Sequence, residues 1–178
     1  MFRLFYPYEY VDSVFMIDYE KLYQKGYKAI LFDIDNTLVH HGDDSTREVD
    51  ELFCYLHKLG FQTLLLTNND QERVERFIRN IDTLYICDAE KPDSKSYLKA
   101  LELLKVTKEE AIVIGDQIFT DIYGANKSNI PSILVHFILL PEERNIGIRR
   151  YLEFIILAFW KRSKKFRNRL GNIKKEVL

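Results

Sequence analysis

Short apolar runs alternate with amphipathic segments along most of the chain. Five of the runs are almost wholly apolar, as expected for strands that are buried on both faces of a parallel sheet. The predicted strands are Lys28–Ile34, Phe61–Thr67, Thr83–Cys87, Ala111–Gly115 and Ser132–His136. Between them, apolar residues recur with the helical period. The alternation predicts an α/β fold, a three-layer α/β/α sandwich with a parallel, Rossmann-like sheet.

The predicted helices lie between these strands. They are Glu48–Leu59, Arg73–Ile81, Lys95–Lys105 and Phe119–Ser128. Gly60 should end the first helix, and Ser94 should cap the start of the third. The third helix should bury Leu98, Leu101 and Leu104 on a single face, because these residues recur at helical spacing.

Composition narrows the class of protein. Apolar residues make up 47% of the 178 positions, which is too many for a disordered chain. The length fits one domain with a tail, which we assign to residues 1–140 and 141–178. We see neither a signal peptide nor an apolar stretch of the roughly 18 residues that a membrane span needs, so we expect a cytoplasmic protein. Cys54 and Cys87 are expected to be buried free thiols.

Polar residues follow four of the predicted strands at the point where each strand ends. They are Asp33-Ile-Asp35-Asn-Thr37, then Thr67-Asn68-Asn69, then Lys91-Pro92, and finally Gly115-Asp116 with Asp121. In parallel sheets the carboxyl ends of the strands hold the active site. The four clusters are therefore predicted to meet in one crevice.

The residue types in these clusters suit the transfer of a phosphoryl group. A phosphate monoester carries about two negative charges near neutral pH and repels an anionic nucleophile, so a divalent cation is needed between them. We predict Mg²⁺ as the cofactor and Asp33 as the nucleophile, with Asp35 passing protons to the leaving oxygen and from water. The predicted metal-binding set is Asp33, Asp35, Asp116 and Asp121, the Asp35 side chain remaining free for proton transfer. The predicted phosphate-binding set is Thr67, Asn68 and Lys91.

The order and spacing of the clusters resemble those of the haloacid-dehalogenase-like (HAD) hydrolase superfamily. Asp33–Thr37 is similar to its first motif, Thr67 to its second, Lys91 to its third and Gly115–Asp121 to its fourth. The resemblance extends over about residues 25–137. It implies a nucleophilic first aspartate that forms an aspartyl-phosphate. The presence of Asp35 implies a phosphatase, because dehalogenases of the superfamily lack this second aspartate.

The gaps between the motifs are short. Only 29 residues separate Thr37 from Thr67, and 23 separate Thr67 from Lys91, so neither gap can hold the cap domain that sets specificity in many members. We therefore predict an open crevice without a cap. Such a crevice suits a large substrate or one that is held at a surface. His40 and His41 follow the first motif, and we interpret them as solvated loop residues whose roles stay open.

Finer features resemble the capless IIIA branch of the superfamily over about residues 5–140. The distinctive positions are Gln117 and Thr120 within the fourth motif. This branch includes bacterial and organellar phosphatidylglycerophosphate phosphatases, so the resemblance implies phosphatidylglycerophosphate as the favoured substrate. Two alternatives stay open. One is a phosphatase for proteins, nucleic-acid ends or soluble metabolites, and the other is a non-catalytic RNA-binding module.

The C-terminal segment has a different character from the rest of the chain. Tyr151–Trp160 is apolar, and the basic run Lys161–Arg169 follows it. Residues 144–178 contain eleven Lys and Arg against two Glu, a balance of +9, which leaves −10 on residues 1–143. The segment could lie on anionic lipid at the inner face of a membrane, or pack on the domain as a last helix. Nucleic-acid binding is not favoured, because Phe166 is the only aromatic residue in the basic run.

Overall fold

The described residues form one parallel sheet flanked by helices. A computed structural model of the protein describes residues 2–140 and 147–175. In these residues the strands are β1 (Glu9–Val11), β2 (Ala29–Phe32), β3 (Gln62–Leu66), β4 (Leu84–Ile86), β5 (Ala111–Gly115) and β6 (Ser132–Val135). They pair in the order β1-β6-β5-β2-β3-β4, every pair parallel. The strand order reverses beside β2, so β2 and β5 border the switch point where α/β sheets bind ligands.

The helices cover both faces of this sheet. They are α1 (Tyr19–Gln24), α2 (Arg47–Leu59), α3 (Gln71–Phe77), α4 (Ser94–Leu104), α5 (Tyr123–Lys127) and α6 (Gly147–Arg162), with a π-helical turn at Ile118–Ile122 before α5. Side chains of α1, α2 and α3 share one core with alternate strand residues such as Phe32, whereas α4 and α5 share a second core with Leu31. Because neighbouring strand residues point to opposite faces, each buried strand serves both cores. The predicted three-layer α/β fold is confirmed.

Helix ends follow local chemistry, with two corrections to the predicted bounds. Gly60 ends α2 with a φ of 99°, as expected. The cap of α4 is Asp93 and not Ser94, because the Asp93 side chain accepts a hydrogen bond from the Lys95 backbone. Helix α3 ends at Phe77, so the predicted extension to Ile81 is wrong. Ile81 is nevertheless buried, because an irregular turn carries it into the core.

Two predicted core positions are exposed. Leu98 lies outside the buried stripe of α4, which Tyr97, Leu101 and Leu104 occupy together with Ala100. Cys54 is an exposed free cysteine and Cys87 is only partly buried, so the prediction of two buried thiols is wrong. In α4 the true stripe includes Tyr97 in place of its neighbour Leu98, because adjoining apolar residues leave the helical face ambiguous.

The N-terminal residues contain elements that the sequence patterns missed. Strand β1 has only three residues and pairs with β6 at the edge of the sheet, and α1 has only six residues. Neither is long enough to show a period of its own. Both elements form where tertiary packing covers them, as shown by the full burial of Tyr19 and Leu22 in α1.

The C-terminal segment packs on the domain along one face. Helix α6 begins at Gly147, before the apolar run, and its Leu157 and Trp160 are buried against Ile122 and Leu134. Further on, Ile173 is fully buried in the first core. In the part of the chain that the structure describes, no helix combines the length and apolarity that crossing a bilayer requires.

Candidate active site

The first and fourth motifs meet because their strands are neighbours. Asp33 follows β2, and its backbone N–H donates to the Ile114 carbonyl at 3.0 Å, which extends the pairing with β5 to the end of the strand. Asp116 follows β5 directly. Gly115 allows the loop after β5 to fold back, since a Cβ at this position would lie 2.4 Å from the Asp121 carboxyl carbon. Only glycine fits this close approach.

Three buried carboxylates gather at this edge of the sheet. Asp33, Asp116 and Asp121 each offer an oxygen within 4.8 Å of the others. Burial raises the pKa of Asp33 to about 6, although the charge of Lys91 opposes the shift. Burial, together with the charges of Asp33 and Asp121, raises the pKa of Asp116 to about 8. Burial, with repulsion between the carboxylates as a second cause, therefore favours a proton on Asp116 near neutral pH.

Lys91 and Thr37 tie the carboxylates together. The Lys91 ammonium lies 2.6 Å from Asp33 Oδ1 and 2.7 Å from Asp121 Oδ1. Burial alone would lower the pKa of Lys91, but the two carboxylates raise it above its ordinary value. The Thr37 hydroxyl lies 3.4 Å from Asp33 Oδ2 and 3.2 Å from Asp116 Oδ1, between the two carboxylates. The predicted convergence of these residues is present in the structure.

The charge balance of the cluster fits a divalent cation. Lys91 offsets one of the three carboxylates, and Arg150, which contacts Asp116, is balanced by buried Glu153, so two negative charges are in excess when every carboxylate is ionised. All the candidate ligand atoms are carboxylate oxygens, the hard donors that Mg²⁺ prefers. A bound divalent ion would neutralise the excess charge and displace the proton that the raised pKa of Asp116 implies. The residues present therefore fit the metal predicted from the sequence.

The Asp35 side chain lies outside the three-carboxylate cluster. Its oxygens accept from three donors, Asn69 Nδ2 at 2.9 Å, Arg73 at 3.0 Å and the Gly42 backbone N–H at 3.2 Å, and His41 Nδ1 lies 3.1 Å away. Burial raises the pKa of Asp35, but the hydrogen bonds from Asn69 and Gly42 and the charge of Arg73 together hold it below its usual value. Asp35 is thus an ionised acceptor in this arrangement, and its predicted acid/base and metal roles stay predictions.

The side chains of the other two predicted phosphate-binding residues form hydrogen bonds with the backbone of the second and third motifs. Thr67 is buried, and its hydroxyl accepts from the Asn69 backbone N–H at 3.2 Å. The Asn68 side chain accepts from the Lys91 backbone N–H at 2.7 Å and donates to the Lys91 carbonyl at 3.5 Å. Asn68 therefore holds the third-motif backbone in place. Direct phosphate binding by Thr67, Asn68 and Lys91 remains a prediction.

Two side chains at the site come from α6, which the sequence assigned to a tail. Arg150 donates to the backbone carbonyl of Asp116 at 2.7 Å and also bonds the Asp116 carboxylate. Glu153 is buried and pairs with Arg150 at 2.9 Å. One signal was available in the sequence. Glu153 is the only charged residue in the apolar run Tyr151–Trp160, and a buried carboxylate requires partners.

The fold and the site together define a class of enzyme. A Rossmann-like α/β sheet with a buried acidic cluster at its switch point is the architecture of an enzyme that binds its ligand at the strand ends. A solved structure supports the fold: an uncharacterized protein from Listeria monocytogenes serotype 4b matches with a TM-score of 0.53 and 18% identity, over 76% of this chain and 99% of that one.

Sequence comparison gives the family. The family model described as haloacid dehalogenase-like hydrolase matches residues 41–129, a range that contains Thr67, Lys91, Asp116 and Asp121. The chain is 32% identical over 161 residues to a protein called probable phosphatase YqeG from Bacillus subtilis (strain 168), covering 90% of this chain and 94% of that protein. It is also 30% identical to the glyceraldehyde 3-phosphate phosphatase of Pyrococcus furiosus, over 57% of this chain and 45% of that enzyme. The chain belongs to the haloacid dehalogenase-like hydrolases, which confirms the predicted superfamily.

Proposed function

We propose that the protein is a Mg²⁺-dependent phosphomonoester hydrolase that works through an aspartyl-phosphate on Asp33. The enzyme is a phosphatase of the haloacid dehalogenase-like family. The observation that carries the mechanism is the cluster of three buried carboxylates at the switch point of the sheet, two of which, Asp33 and Asp121, are paired with Lys91. The cluster lies at the carboxyl ends of β2 and β5, where open α/β sheets bind their ligands.

In the first half-reaction an Asp33 oxygen attacks phosphorus, and the bond from phosphorus to the ester oxygen breaks. Mg²⁺, when bound by Asp33, Asp116 and Asp121, supplies charge that offsets the repulsion between nucleophile and phosphate. Lys91 holds a phosphate oxygen as its charge develops. Asp35 is ionised in the free protein, so it first takes up a proton from water as its hydrogen bonds loosen on substrate binding, and it then gives that proton to the leaving oxygen.

In the second half-reaction water attacks the aspartyl-phosphate. Asp35 removes a proton from the water as the new bond to phosphorus forms, and Asp33 leaves as a carboxylate. The ionised state of Asp35 in this structure suits the proton-accepting role directly. Inorganic phosphate and a regenerated enzyme are the products.

The test combines a nucleophile variant with metal removal. Asp33→Asn should lower the turnover of an aryl phosphate by a factor on the order of 10⁶, as loss of an essential nucleophile does. Asp82→Asn, a matched change at an exposed position before β4, should leave turnover unchanged. Chelator should abolish wild-type activity, and Mg²⁺ should restore it. Retention of a tenth of the activity by Asp33→Asn, or full activity in excess chelator, would refute the mechanism.

A lipid phosphomonoester is the favoured substrate within this mechanism, with phosphatidylglycerophosphate as the specific candidate. Support comes from the outer face of α6, which we call the apolar patch: Ile148, Tyr151, Leu152, Ile155 and Phe159. These side chains are 47–78% exposed, although every one of them is large and apolar. They recur at helical spacing and form one stripe. Large exposed apolar stripes mark interaction sites.

The positive charge next to the apolar patch favours an anionic bilayer as the surface on which the patch docks. The basic run Lys161–Arg169 continues from α6, and its Lys and Arg residues are exposed. A basic group near an anionic surface contributes roughly 1 kcal/mol to binding. Arg150, which lies between Ile148 and Tyr151 along the chain, contacts Asp116, so the same end of α6 carries the start of the patch and a contact to the predicted active site. Docking of this face would bring a lipid head group to Asp33 without a cap.

Point variants test docking better than truncation, because Trp160 and Ile173 are buried and deletion would damage the core. Wild-type protein should co-sediment with vesicles that contain anionic lipid, and salt should weaken the binding. Changing Ile148 and Ile155 together to Ser should reduce both vesicle binding and lipid hydrolysis while sparing aryl phosphate hydrolysis. Leu98→Ser, a partly exposed change on α4, is the matched control.

Three outcomes would refute the lipid proposal. In the first, all the protein stays in the supernatant with anionic vesicles at low salt. In the second, the apolar patch mediates self-association of the chain instead of vesicle binding. In the third, the protein hydrolyses soluble phosphates efficiently and the lipid not at all. The last outcome would favour the alternative of a metabolite phosphatase while leaving the aspartyl-phosphate mechanism intact.

A further inference from the structure

Helix α6 supplies hydrogen bonds that the fourth motif lacks. The π-helical turn Ile118–Ile122 follows Asp116, and the Gln117 side chain makes no capping hydrogen bond to it. Glu153 from α6 takes that place, accepting from the Ile118 N–H at 2.7 Å and from the Phe119 N–H at 3.4 Å. The first N–H groups of a helical turn have no partner within the turn, so this carboxylate satisfies donors that would otherwise be orphaned.

Arg150 fixes the carboxylate of Asp116 from the other side. One of its terminal nitrogens donates to the Asp116 carbonyl at 2.7 Å and to Glu153 Oε2 at 2.9 Å, and the other bonds Asp116 Oδ2. Asp116 Oδ1 accepts from the Thr37 hydroxyl at 3.2 Å, on the side where Asp33 lies. The carboxylate is therefore held at both oxygens, with Oδ1 facing the acidic cluster and Oδ2 facing α6.

Stacking and burial also fix Arg150 itself. Its guanidinium lies over the Phe137 ring, 4.4 Å from the centroid, and its side chain is only 13% exposed. Planar guanidinium groups that are both stacked and doubly hydrogen-bonded have little freedom to reorient. In this geometry Arg150 orients Asp116, a predicted metal ligand, which an arginine free in solvent could not do.

We propose that Arg150 and Glu153 are positioning residues of the phosphatase. They orient Asp116 and the loop that follows it for binding Mg²⁺, and they make α6 part of the catalytic unit. The inference rests on the metal site proposed above. Groups that orient metal ligands from outside typically affect affinity by about 10–100-fold when they are removed.

The opposite expectation follows if Arg150 only competes with the metal for the negative charge of Asp116. Removal of a competing cation would leave more charge on the cluster and would tighten Mg²⁺ binding. Orientation and competition therefore predict changes of opposite sign in one measured quantity. This makes the direction of the change decisive.

The experiment is a calorimetric titration of the metal-free full chain with Mg²⁺ alone. Arg150→Met should weaken Mg²⁺ binding about 10–100-fold, and Arg150→Lys should lie between Arg150→Met and wild type because it keeps the charge but loses the fork. Arg149→Met, which changes the exposed neighbour on the same helix, should bind Mg²⁺ as wild type does. With saturating Mg²⁺, Arg150→Met should recover most of the wild-type kcat for an aryl phosphate.

Each remaining outcome decides the question. Unchanged or tighter Mg²⁺ binding by Arg150→Met would overturn the inference while leaving the proposed mechanism standing. If wild-type protein binds no Mg²⁺, the proposed metal site itself is wrong. If Arg150→Met does not fold, Glu153→Gln serves in its place, because it keeps the size of the side chain while removing the charge paired with Arg150. Glu153→Gln should also weaken Mg²⁺ binding, and wild-type affinity in that variant would overturn the inference.

Discussion

Replacement of Lys91 by methionine should destabilise the metal-free protein strongly. The Lys91 side chain is 4% exposed, and its ammonium is shared by Asp33 and Asp121, which are 9% and 2% exposed. Methionine fills much of the same volume but leaves two buried carboxylates without their cation. Breaking a buried ion pair in this way costs about 3–5 kcal/mol of unfolding free energy. For a chain of this length the expected fall in Tm is roughly 6–20 °C.

Magnesium should restore the variant more than it stabilises the wild type, because a bound divalent ion supplies the charge that Lys91→Met has removed. Activity should still fall by a factor on the order of 10²–10³, since a donor to the developing phosphate charge is missing. The assay is urea unfolding in chelator and in Mg²⁺, with aryl phosphate turnover measured alongside.

The control for this experiment is Lys95→Met, which changes a lysine whose side chain is 92% exposed. It should alter the unfolding free energy by no more than about 0.5 kcal/mol. If Lys91→Met unfolds at the same urea concentration as Lys95→Met in chelator, the buried cluster is not held together by Lys91, and the charge balance argued for the metal site is wrong.

Two further predictions concern the carboxylates. Asp35→Asn should lower turnover by about 10²–10⁴-fold. An activated aryl phosphate should still phosphorylate Asp33 in this variant, and mass spectrometry should detect the trapped phosphoenzyme. Equal loss of both half-reactions would argue against proton transfer by Asp35. The pKa of Asp33 is about 6 in the folded protein against an ordinary 3.8, so protonation of this carboxyl stabilises the metal-free protein. The contribution is complete below about pH 4 and is lost as the pH rises through 6. At roughly 1.4 kcal/mol per pKa unit the loss is about 3 kcal/mol, and the higher pKa of Asp116, about 8, should continue the decline toward pH 8. Unfolding free energies in chelator that stay flat or rise from pH 5 to 8 would contradict this, and Mg²⁺ should remove the decline.

Local patterns in the sequence predicted the parallel sheet and the residues that converge on its edge. Buried parallel strands are continuous apolar runs, so strands such as β2 and β5 can be found without knowledge of their partners. The position of Asp33 and Asp116 after those strands then follows from topology alone. Edge strand β1 could not be found in this way, because its three residues become a strand only by pairing with β6.

Hydrophobic periodicity identified the segments that pack against the sheet. It was less reliable for the individual residues that face the core. Leu98 was misplaced because it adjoins Tyr97, which lies in the true stripe of the same helix, whereas the burial of Cys54 was expected from its residue type and apolar surroundings and not from periodicity. A rotation of one position changes little in the pattern but reverses the burial of a side chain. Ile81 is buried without being helical, because burial depends on where the chain travels and not on its local conformation.

The sequence by itself determined the fold class, the family and the acidic and lysine residues of the crevice, because these depend on residues close to strand ends. Only the tertiary structure decided that Arg150 and Glu153 reach Asp116 and the loop after it. Those contacts span more than thirty positions along the chain. They exist because Leu157 and Trp160 anchor α6 against the sheet, a long-range packing event that no local pattern encodes.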